Sequence, residues 1–124
     1  MAEKKILIID DDLDIQTTLK KRLEHHGFSC TCVSTVGAAL QRLGEIDPNL
    51  VILDLGFRGA NGTAFLQSAK SYLPPESKIP PILVLSAYNE RDVVDYVLGM
   101  GAIGFIAKPF DAKVLVNTVH DYLE

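Results

Sequence analysis

The chain has 124 residues, which against a prior of roughly 150 per domain leaves room for one folded unit over residues 1–124. Apolar residues make up 48% and charged ones 23%, the balance of a globular protein rather than a disordered or fibrous one. Twelve Lys and Arg against sixteen Asp and Glu give a net charge of −4, so no basic surface is available to neutralise a run of phosphates, and direct nucleic-acid binding is not expected.

After Lys4 and Lys5, residues 6–9 are all Ile or Leu, and the run stops at three aspartates. It is too short for a signal sequence or a membrane span, so membrane insertion is not expected and a cytoplasmic location is. A short, continuous, β-branched run of this kind predicts a strand covered on both faces. Ile15, Leu19 and Leu23 then recur at helical spacing and close on Gly27, which predicts an amphipathic helix with a glycine C-cap. His25 and His26 fall at its end, where the helix dipole favours a cation, and read as surface residues. Residues 28–33 form a weaker strand candidate with Cys30 and Cys32 on one face. Two cysteines so placed do not make a disulfide framework and read as small core residues in a reducing compartment.

Val36, Ala39, Leu40 and Leu43 give a second helix, with Gly44 as its expected cap. Residues 50–53 repeat the buried-strand signature, and a helix is expected over 63–73. Prolines at 74, 75, 80 and 81 lead to a fourth strand at 82–85, a helix over 90–100, a strand over 103–107 and a last helix over 112–123. Five strands alternating with five helices predict an α/β fold, (βα)5, with a doubly wound, five-stranded parallel sheet. In such folds ligands bind outside the carboxyl ends of the strands.

The residues following the apolar runs are Asp10, Asp11 and Asp12, then Asp54, Ser86 and Lys108. Convergent carboxylates repel one another, so either their pKa values rise or a divalent cation neutralises them. Few, hard oxygen ligands suit Mg2+, with Mn2+ as a substitute. A carboxylate beside Mg2+ and a lysine is an apparatus for forming an aspartyl phosphate.

These residues carry a resemblance over essentially the whole chain. I-L-I-I-D-D-D at 6–12, V-I-L-D-L at 51–55 with Gly62 eight residues after Asp54, I-L-V-L-S-A at 82–87 and G-F-I-A-K-P-F at 104–110 resemble the receiver domains of two-component response regulators. The resemblance implies a flavodoxin-like strand order 2-1-3-4-5, as in single-domain chemotaxis regulators. It implies that Asp54 accepts a phosphoryl group from a histidine kinase or a histidine phosphotransfer protein, and that the domain catalyses only its own phosphorylation and dephosphorylation. Mg2+ would be held by Asp10, Asp11, Asp54 and the backbone carbonyl of Gly56, with Asp12 peripheral. Lys108 would pair with the phosphoryl oxygens, and its bond to Pro109 is usually cis in the family. Ser86 and Phe105 match the switch positions, which would alter a partner-binding face built from the fourth helix, fifth strand and fifth helix.

The pattern departs at Arg58, where the family usually has Pro; with Gly56, Gly59 and Gly62 this predicts a looser loop after Asp54. Tyr88 falls where the family controls water access to the phosphoryl group, and is expected to shield it. Two rivals differ in class. A haloacid-dehalogenase-like phosphatase would also use an Asp-x-Asp motif, but it needs a cap domain and a further acidic pair. A degenerate receiver would bind a partner without phosphorylation. The chain ends at Glu124, which fits either a stand-alone protein acting through a docking partner or a receiver cut from a longer regulator or hybrid kinase.

Overall fold

A computed structural model describes residues 3–55, 60–73, 78–87 and 91–123, with side chains except at 60–63 and 70. Strands β1 (Lys5–Ile9), β2 (Ser29–Val33), β3 (Leu50–Asp54), β4 (Ile82–Ser86) and β5 (Gly104–Ala107) alternate with helices α1 (Leu13–His25), α2 (Val36–Ile46), α3 (Ala60–Tyr72), α4 (Arg91–Gly99) and α5 (Ala112–Leu123). All four pairings are parallel and the order is β2-β1-β3-β4-β5, the expected flavodoxin-like topology.

Side chains alternate across a strand, and that alternation sorts the apolar runs into two cores. Ile6, Ile8, Leu50, Ile52, Leu83 and Leu85 pack with Leu19 and Leu23 of α1 and Leu115, Val116 and Val119 of α5. On the opposite face Leu7, Ile9, Val51, Leu53 and Val84 pack with residues of α2, α3 and α4, among them Leu43, Phe65 and Val97. Every residue of β3 and β4 is buried, which is why these strands read as continuous apolar runs. Cys30 is buried and Cys32 half-buried in the α1/α5 core, and both are free thiols.

The helix ends refine the expectations. Gly27 does cap α1: its φ is +92°, its N–H donates to the Glu24 carbonyl, and the Phe28 N–H reaches the Leu23 carbonyl at 3.2 Å. This is a Schellman closure, with Phe28 and Leu23 sharing the same core. Gly44, by contrast, is not a cap. The second helix runs through it to Ile46, which packs on the core, and the left-handed residue is Asp47 (φ 48°), just before Pro48. A following proline disfavours the helical conformation at Asp47, so the helix ends there. β3 and β4 each extend one residue past the apolar run, to Asp54 and Ser86, because the backbone ladder continues after hydrophobicity stops.

Candidate functional site

The parallel topology brings the carboxyl ends of β1, β3, β4 and β5 to one edge of the sheet. Asp10 follows β1, Asp54 and Ser86 close β3 and β4, and Lys108 follows β5. Among the described residues the buried polar ones are Asp10, Asp54 and Ser86, with 2%, 8% and 0% exposure, while Asp11 is exposed. The strand ladder continues through the site: the Asp10 N–H donates to Val33 O (3.1 Å), Leu55 N–H to Leu85 O (3.0 Å) and Lys108 N–H to Ser86 O (2.8 Å).

Lys108 Nζ donates to Asp54 Oδ2 at 2.5 Å and lies 4.0 Å from Asp10 Oδ2. The Lys108–Pro109 peptide bond is cis. Carboxylate oxygens of Asp10, Asp11 and Asp54 all lie within 4.8 Å of one another. Asp10 Oδ1 accepts from the Asp12 N–H at 2.9 Å, whereas its buried Oδ2 accepts no hydrogen bond among the described residues. Burial first, and the adjacent Asp54 carboxyl second, push the Asp10 pKa up to about 7, with the Asp12 N–H acting the other way. A buried, unsatisfied carboxylate oxygen in an all-oxygen donor set fits a hard divalent cation such as Mg2+.

Asp12 faces another way. Its carboxylate caps α1, accepting from the N–H groups of Asp14 (2.9 Å) and Ile15 (3.3 Å). Phe105 is half-buried against the core on the α4 face, whereas its neighbour Ile106 packs on the α5 face. Gly56, Arg58 and Tyr88 lie outside the described residues. His25 and His26 sit on the opposite edge of the sheet from the acids, where His26 meets the His120 ring edge-on at 5.8 Å. Sequence reading passed over Gln16, whose side-chain amide reaches the Asp10 and Val33 carbonyls. A lone glutamine one turn into a helix carries no sequence signal for that role. Among the described residues no helix is long and apolar enough to cross a membrane.

Comparison with known proteins gives concordant results. A family model described as the response regulator receiver domain matches residues 6–120. The chain is 36% identical over 118 residues to the DNA-binding response regulator MtrA of Mycobacterium tuberculosis, covering 94% of this chain and 49% of that one. It is 35% identical over 106 residues to the transcriptional regulatory protein PmrA of Pectobacterium parmentieri, covering 86% and 46%. The chain thus spans about half the length of the curated relatives it matches. In structure it is similar to the chemotaxis protein CheY4 of Vibrio cholerae, with a TM-score of 0.87 at 23% identity over 98% of this chain and 100% of that one.

Proposed function

The chain belongs to the response regulator receiver domain family of two-component signalling, and from that premise we propose that it is a phosphorylation switch whose acceptor is Asp54. The carrying observation is the Asp54 carboxylate, held against the Lys108 ammonium at 2.5 Å within the acidic trio. Asp10, Asp11 and Asp54, with the Gly56 carbonyl, would hold Mg2+. The bound cation supplies positive charge that offsets charge on the phosphoryl oxygens.

An Asp54 carboxylate oxygen attacks phosphorus in line, forming a P–O bond. The P–N bond to a donor histidine breaks, and its electron pair stays on the imidazole nitrogen. Lys108 then pairs with the phosphoryl oxygens as it now pairs with Asp54. Ser86, at the end of β4, donates its hydroxyl to the new group, and Phe105 repacks against α4. The face of α4, β5 and α5 then changes its preference for partners, for which a few kcal/mol of differential binding suffices. The domain is a phosphoacceptor rather than an enzyme with an external substrate. Net charge speaks only for these 124 residues, so the reading extends to a linked output unit as readily as to a separate docking protein, and a DNA-binding output is compatible with it.

Labelling with acetyl phosphate tests this. Incorporation that requires both Mg2+ and Asp54, lost in Asp54→Ala, is the expected result. A folded parent that takes no label under these conditions overturns the reading and favours a phosphorylation-independent binding module, the outcome that Arg58 and the glycine-rich loop would produce.

A further inference from the structure

Asp10 is anchored at every polar atom but one. Its N–H donates to the Val33 carbonyl (3.1 Å), its Oδ1 accepts from the Asp12 N–H (2.9 Å), and its carbonyl accepts from Gln16 Nε2 (2.5 Å). What is left is Oδ2, buried and 4.0 Å from Lys108 Nζ. Gln16 Nε2 also donates to the Val33 carbonyl (3.0 Å) and lies 3.1 Å from Ser34 Oγ, so two N–H groups are shared among three acceptors on the ends of β1 and β2. The Val33 carbonyl therefore takes both the last rung of the β1–β2 ladder and the side chain that clamps the Asp10–Asp11 peptide.

We infer that Gln16 is a positioning residue for the acidic pair: its amide fixes the Asp10–Asp11 peptide plane, and so aims both carboxylates at the cation. The inference rests on the reading of the acidic trio as a Mg2+ site. Gln16 touches neither the metal nor the phosphoryl group in this scheme and acts only through the Asp10 carbonyl. The geometry favours this over a merely structural role, because Ile15, Leu19 and Leu23 already pack α1 on the core, whereas the Gln16 amide reaches main chain at the acidic pair. Groups that orient metal ligands without touching the ion are commonly worth an order of magnitude in affinity.

Gln16→Met keeps length and removes both donors; Leu19→Ala loosens the same helix in the core without touching the site. Mg2+ titrations of both variants and the parent, followed by backbone amide NMR, give affinity and site order together. Gln16→Met is expected to bind Mg2+ on the order of tenfold more weakly, and its Asp11 and Asp12 amide signals to broaden even without the ion. Leu19→Ala is expected to lose more stability yet keep the parent's affinity. Unchanged affinity in Gln16→Met, or an equal loss in both variants, overturns the positioning role. A parent that binds no Mg2+ overturns the metal site itself, and the role that rests on it.

Discussion

Asp10 carries a carboxyl into a place water barely reaches, beside a second carboxyl and near one ammonium. A group whose folded pKa is raised, here from 3.8 to about 7, contributes stability that is complete below the unfolded value and lost as pH rises through the folded one. Without divalent cations, the urea midpoint of the parent is expected to fall between about pH 4 and 7 by more than that of Asp10→Asn. At pH 8 the variant should be the more stable, by roughly 1 kcal/mol, and should respond less to added Mg2+. Equal pH dependence in the two proteins would place the destabilisation elsewhere. At this scale the sequence is only partly legible. Asp10, Asp11 and Asp12 are identical letters in a row, yet one is buried at the site, one is exposed beside it and one caps a helix. Backbone direction decides among them, and no side-chain identity encodes it.

Gly27 and Gly44 show the same limit among the elements. Both follow an apolar helical series, and on spacing alone both read as caps. Gly27 occupies a left-handed conformation with open space where a Cβ would go, so Gly27→Ala meets backbone strain alone and should cost about 1–2 kcal/mol. Gly44 lies within α2, exposed and equally open, so Gly44→Ala should raise stability by roughly 0.5–1 kcal/mol. Thermal melts of the two variants under one condition should move in opposite directions; movement in the same direction would contradict the assigned end of α2. β1, β3 and β4 were far more legible than β2 and β5, because burial on both faces leaves a continuous apolar run that little else imitates. The last residues of β3 and β4 were not, since Asp54 and Ser86 belong to the ladder without belonging to the apolar run.

Across the whole molecule, two cores share one sheet, and each central strand contributes to both. A loss in one should therefore loosen the other. Cys30 reports on this, because burial pushes its thiol up to about 12 and keeps it unreactive until the α1/α5 core opens. Leu19→Ala in that core and Leu43→Ala in the opposite one should each cost about 2–4 kcal/mol. Each should speed Cys30 modification by a disulfide reagent in proportion to its own loss of stability. Acceleration by Leu19→Ala alone would mean that the two layers open separately. The doubly wound parallel architecture was legible at this scale because alternating strands and helices with short connections leave few arrangements open, whereas the order of the strands followed from the family resemblance alone.

The tip of β4 has a consequence for how the acceptor and its lysine move. Leu85 offers its carbonyl to the residue after Asp54, and Ser86 offers the next carbonyl to Lys108 itself. The carboxylate and the ammonium thus hang, by way of main chain, from consecutive peptide units of a single strand, like two arms on one rivet. A small slide of that tip carries both arms the same way, so the gap between the carboxylate and the ammonium is preserved while the pair as a whole shifts.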